Sequence, residues 1–172
     1  MNSSHHLSVF SAFVALTLPS IRAAQESVPG TAATVKGGQI HESERERSLR
    51  LTRFVLGDAG FQINREELEE SALRDEIDRR LLREEFEKKG GKVKAEYVDE
   101  MVKALMARRF NGSEIAFHEA LTASELTEEE LRTRLIDGVI FEVFRGDSTL
   151  YEGDFEHWLK SLRESAKANI VR

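Results

Sequence analysis

The stretch NREELEESALRDEIDRRLLREEFEKKGGK, residues 64–92, decides the fold. Asn64 stands three residues before Glu67, the spacing of a reciprocal helix cap, and Lys88-Lys89-Gly90-Gly91 carries the basic last turn and glycine stop of a helix end. Its apolar positions Leu68, Ala72, Leu73, Ile77, Leu81, Leu82 and Phe86 spread over more of the circumference than one stripe. A helix patterned this way packs against neighbours on more than one side, so it is expected to be the central element.

On its C-terminal side the pattern stays helical. In AEYVDEMVKALMARRF, residues 95–110, Val98, Met101, Val102 and Leu105 repeat at three and four residues, while Met106 and Phe110 drift toward the flank of that stripe. Asn111-Gly112 ends the segment, and Ser113 caps a short helix carrying Phe117, Ala120 and Leu121. Thr127 with Glu130 is the strongest capping box in the chain. It opens a helix with Leu131, Leu135 and Val139 in one row and Ile136, Ile140, Val143 and Phe144 beside it. A last helix begins near Asp154, with Phe155, Trp158, Leu159, Leu162 and Ala166 at helical spacing, and residues 168–172 can pair as a strand.

On its N-terminal side the sequence changes character. Residues 44–56 suit a strand or a short helix equally: Leu49, Leu51 and Arg53 alternate, yet Phe54-Val55-Leu56 follows a charged lead-in. Gly57 to Gly60 reads as a turn, and residues 25–43, with Ser, Pro, Thr and paired glycines but no sustained period, read as a flexible linker. Residues 1–24 have the order of an export signal: an apolar run Leu7 to Leu18, then Pro19 and the small pair Ala23-Ala24. The n-region carries no Lys or Arg, so a retained anchor stays open beside cleavage. The expected organisation is a signal at 1–24, a linker at 25–43 and a helical domain at 44–172, mainly α, with a small terminal β pairing.

Composition narrows the chemistry. The 172 residues are 40% hydrophobic, enough for a core, and 33% charged with a net charge of -6, which disfavours nucleic acid as a ligand. Without cysteine, thiolate zinc sites and cysteine nucleophiles are excluded. His118-Glu119 begins like a zinc-protease motif, but Thr122 stands where a second histidine is required. The clustered acids at 66–70 and 128–130 lie in first helical turns, where the helix dipole favours them. Arg79, Arg80, Arg83, Lys88 and Lys89 are interleaved with glutamates at ion-pairing spacing, and Arg145-Gly146-Asp147 simply follows a helix end. No metal, cofactor, catalytic residue or small-molecule substrate is indicated, and no phosphate-cradling glycine loop leads into a helix.

The run from Ala72 to Phe144 resembles the N-terminal helical domain of SurA-type periplasmic chaperones and parvulin isomerases. The resemblance rests on Glu76-Ile77-Asp78-Arg79-Arg80-Leu81-Leu82 with Glu85, Gly91-Lys92-Val93, Val98-Asp99 with Val102, Phe117 with Leu121, and Leu126-Thr127 with Leu131-Arg132. Trp158-Leu159, Leu162-Arg163, Ala166 and Ile170 are similar to that family's closing helix and strand. Two positions depart: Lys94 replaces a frequent serine cap, and Glu125 a frequent helix-ending glycine. Between Phe144 and Asp154 there is only RGDSTLYEG, where isomerase-bearing relatives carry whole parvulin domains. The resemblance therefore implies a periplasmic holding chaperone without isomerase activity, binding unfolded or outer-membrane client proteins through apolar helix grooves. Met106, Phe110, Phe141 and Phe144 are the candidate client-binding residues; self-association stays open. The alternative is a structural adaptor docking one dedicated envelope partner.

Overall fold

The computed structural model describes residues 30–36, 38–57 and 65–171. The expected signal at 1–24, the Asn64 cap and the turn after Gly57 lie outside the described residues. Six α-helices and a three-stranded sheet make up the rest: β1 (Thr31–Val35), β2 (Gly38–His41), α1 (Glu42–Leu56), α2 (Arg65–Lys88), α3 (Ala95–Phe110), α4 (Glu114–Ala123), α5 (Glu128–Gly146), a 3-10 turn (Ser148–Leu150), α6 (Phe155–Ser165) and β3 (Asn169–Ile170). The fold is mainly α, as the periodicity predicts.

The sheet corrects the linker expectation for residues 31–41. β1 is the middle strand, antiparallel to β2 through pairs such as Ala33↔Ile40 and to β3 through Ala33↔Ile170 and Thr34↔Asn169. Ala32, Ala33, Val35 and Ile40 are buried, and with Leu73, Ile77 and Leu81 of α2 and Ala166 they form one apolar cluster. Small residues buried side by side produce no alternation, so the strand has no period to read. Residues 44–56 resolve as helix. α1 starts directly from β2, with Glu44 accepting from the His41 backbone N–H at 2.8 Å.

α2 is central. Leu73, Ile77 and Leu81 face the sheet, while Leu82 joins Ile140 and Phe144 of α5 and Phe155 and Leu159 of α6 in a second cluster. Its exit is closed by Gly91 N–H donating to the Phe86 carbonyl at 2.9 Å, with Gly90 at φ 74°. A Cβ on Gly91 would stand 2.6 Å from the Phe86 ring, so glycine is needed for that close approach. A third cluster joins Leu51 and Phe54 of α1, Val102 and Leu105 of α3, Phe117 and Leu121 of α4, Leu126, and Leu131 and Leu135 of α5.

The caps fall where the sequence places them. Ser113 accepts from the Ala116 N–H, Asp154 from Glu156 and His157, and Thr127 and Glu130 accept reciprocally from each other's backbone N–H. The two family departures have structural consequences. Lys94 precedes α3 with no side-chain cap bond, and Glu125 takes φ 53°, the left-handed backbone that glycine usually supplies, while Leu126 N–H closes onto the Leu121 carbonyl.

α6 is fixed on α2 by a forked ion pair. Arg163 Nε and Nη2 donate to the two oxygens of Asp78 at 2.6 and 2.7 Å, with Asp78 buried. Trp158 stacks on Phe144 and Tyr151, centroids 5.2 and 5.1 Å apart.

Candidate functional site

α5 supplies the floor of an open, largely apolar groove. Its Leu135, Gly138, Val139, Glu142 and Val143 lie three, four, seven and eight residues apart, hence on one face. The last turn of α1 adds Thr52, Val55 and Leu56, and the first turns of α3 add Tyr97 and Met101. α1 and α3 each pack on α5, and the space between them is a groove of about 550 Å³. Val139, Val143, Met101 and Val55 are only half-buried, and Leu56 and Tyr97 are 68% and 51% exposed. Apolar side chains left in this state have surface still to bury. A Cβ built on Gly138 meets nothing within 4 Å, so the floor is open at its centre.

The four sequence candidates do not come together. Phe144 is wholly buried between Phe86 and Trp158 and is a core residue. Phe141, half-buried, sits edge-on to Phe155 at 5.5 Å in the same cluster. Met106 and Phe110 pack at the other end on the α1–α3–α4 cluster, Phe110 against Phe54 at 5.8 Å and Phe117 at 5.7 Å. α4 and α1 cover the flank of α3 that a single-helix projection leaves open. Sequence reasoning missed the groove because Val139, Val143 and Met101 belong to helix stripes that read as core. The signal for it was Gly138, a helix-interior glycine that no cap or turn explains.

Behind the groove lies a charged cleft of about 370 Å³ between α1, α2 and α5. Most of its charges are matched. Arg47 pairs with Glu130 at 2.8 Å, Arg80 with Glu44 at 2.6 Å, Arg79 with Glu76 at 2.8 Å and, through Nε at 3.0 Å, Arg83 with Asp137. Ser48 is buried and accepts from Arg79, so it is no free nucleophile. Burial pushes the Asp137 carboxyl above its ordinary value against the pull of Arg83. Burial also works against the charge of Glu76, but Arg79 and Arg80 outweigh it and hold that carboxyl low. Among the described residues Arg134 makes no ion pair; burial first, and Arg79 second, lower its pKa, against the opposing charges of Asp75, Asp137 and Glu76.

His41, His118 and His157 are exposed, and no group of three or more His, Asp or Glu among the described residues is placed to hold a metal ion. No helix among the described residues is long and apolar enough to cross a membrane.

The fold and its open surface define a helical module closed by a small sheet, with an apolar groove beside a cleft whose charges are mostly paired. The chain belongs to the SurA-like N-terminal domain family, which matches residues 6–144. That membership carries a chaperone-like role with polypeptide as the ligand class. The match is to the helical N-terminal domain, which fits a role without isomerase chemistry. No curated protein and no solved structure matches the chain.

Proposed function

We propose that the protein is an isomerase-free holding chaperone of the periplasm that captures unfolded or outer-membrane client polypeptides in the groove between α1, α3 and α5. The observation that carries the reading is the groove itself, about 550 Å³ and largely apolar, with Leu56 and Tyr97 exposed at its rim. An extended client segment places alternate side chains on one face and would lay them along α5. Burying two or three apolar side chains yields roughly 4–8 kcal/mol before the cost of association is subtracted. Such binding is weak and quickly reversed, as holding and release require. The net charge of -6 opposes self-association of the loaded protein. The apolar run Leu7 to Leu18 followed by Pro19 and Ala23-Ala24 is the support for export.

The test is suppression of aggregation of an unfolded outer-membrane β-barrel protein, with a folded protein as control. Suppression is expected near equimolar ratio for the protein, and its loss for Leu56→Asp with Tyr97→Asp, whose exposed positions leave helical content unchanged. No suppression at any ratio would sink the chaperone reading and favour an adaptor recovered with one stoichiometric partner.

A further inference from the structure

Arg134 stands one helical turn before Gly138 and lines the apolar groove, the charged cleft behind it and a smaller cleft shared with Asp75, Asp78 and Asp137. Among the described residues it makes no hydrogen bond or ion pair, and its Nε is buried without a partner. The carboxylates around it are engaged elsewhere or stand off. Asp137 is held by Arg83 and Glu76 by Arg79 and Arg80, while Asp75 acts on Arg134 only from beyond ion-pair distance and Arg79 repels it. A half-buried guanidinium left open beside an apolar groove is a site lacking its anion.

The groove's geometry narrows what that anion is. Residues one turn apart on a helix have Cβ positions about 5–6 Å apart, so the opening over Gly138 adjoins the Arg134 side chain. That distance suits one residue carrying both an apolar side chain and a carboxylate. The apolar lining also stops at Arg134; on its far side lie Arg47, Arg79 and Arg80 with their paired glutamates. At the other end of the groove stands the exposed carboxylate of Glu142, about 12 Å along α5 from Arg134. An extended peptide covers that length in three or four residues. Opposite charges at the two ends match a chain that ends at Arg134 and continues past Glu142.

We propose that Arg134 makes the groove a receptor for the free C-terminus of an unfolded polypeptide whose last residue is apolar. The proposal rests on the groove being the client site and specifies which part of the client enters it. Arg134 then holds the α-carboxylate, the last side chain fills the space over Gly138, and the preceding residues run toward Glu142.

The experiment is fluorescence anisotropy with a labelled peptide of alternating Ser and Phe ending in Phe, as the free acid and as its C-terminal amide. A third peptide, amidated, carries Glu three residues from the end. The free acid is expected to bind about tenfold more tightly than the amide, the size of one charge-assisted contact. Arg134→Gln should remove that preference by weakening the acid alone, with the amide's affinity and the helical content unchanged. Equal binding of acid and amide by the unaltered protein would overturn the proposal while leaving the groove reading intact. Equal binding of the Glu peptide and the acid would overturn it in favour of any acidic segment. No binding of any of the three would remove the groove reading with it.

Discussion

Gly138 offers a perturbation in which stability and function move in opposite directions. It sits inside α5, where glycine costs about 0.5–1 kcal/mol relative to alanine. An added Cβ meets nothing within 4 Å, so Gly138→Ala should recover that amount without strain. Gly138→Leu recovers a similar helix contribution, and its further carbons extend over the floor beside Leu135, three residues back on the same face. Burial at about 0.8 kcal/mol per methylene, discounted by half for the open side of the groove, adds about 1 kcal/mol. The total of about 1.5–2 kcal/mol corresponds to a rise in melting temperature of roughly 3–8 °C for a chain of this size. Thermal unfolding by circular dichroism measures the first half and suppression of client aggregation the second. The leucine variant should be more stable and should hold client poorly, while the alanine variant should hold it nearly as well as the parent. A leucine variant that is stabilised and still holds client at the parental ratio would refute the groove as the client site. One that is destabilised would refute the open floor.

Three further outcomes test the rest of the reasoning. Glu125→Gly should stabilise the protein by about 1 kcal/mol in urea unfolding, because it removes a left-handed side-chain residue at φ 53° and forfeits only an exposed contact to Arg50 at 4.0 Å. Arg163→Met should cost about 3 kcal/mol, since it strands the buried Asp78 carboxylate, and Asp78→Asn in the same chain should restore much of the loss; a loss of under 1 kcal/mol for the single variant would count against the ion pair as the anchor of α6. The backbone N–H of Thr127 is the main reason the Glu130 carboxyl lies below its ordinary 4.5. Its contribution to stability is complete above about that pH and is lost as pH falls through the folded value, so the parent should lose more stability than Glu130→Gln between pH 6 and 3. Parallel curves for the two proteins would contradict the assignment.

Most helices were legible because they carry boundary chemistry of their own, whereas residues 44–56, now α1, read equally as strand or helix. Thr127 and Glu130, Ser113, Asp154, and the Asn111-Gly112 and Gly90-Gly91 exits are local signals, and the structure uses them all. The spread of apolar positions on α2 correctly implied neighbours on several sides, since sheet, α5 and α6 all pack against it. The hairpin at 31–41 was not legible, because Ala32 and Ala33 are buried through their smallness and leave no hydrophobic period. Site residues were hardest. Whether Phe110 is surface or core depends on Phe54 and Phe117, brought to it from other helices, and no spacing within α3 contains that information. Val139 and Val143 show the converse: a perfect core stripe ends up lining open space because α1 and α3 stand apart on α5.

The order of strands in the sheet has a consequence for how the chain reaches its native state. Among the described strands β1, the first in sequence, lies between β2 and β3, and β3 is the last. The β1–β2 hairpin can form early, but the other edge of β1 waits for residues on the order of 140 positions away, at a loop-closure cost of roughly 4 kcal/mol. α6 and its Arg163 arrive with that strand and cover Asp78 in the same step. A chain interrupted after α5 therefore keeps a bare strand edge and an unneutralised acid on its central helix. Strand edge and acid are therefore closed together, by one segment remote in sequence from both.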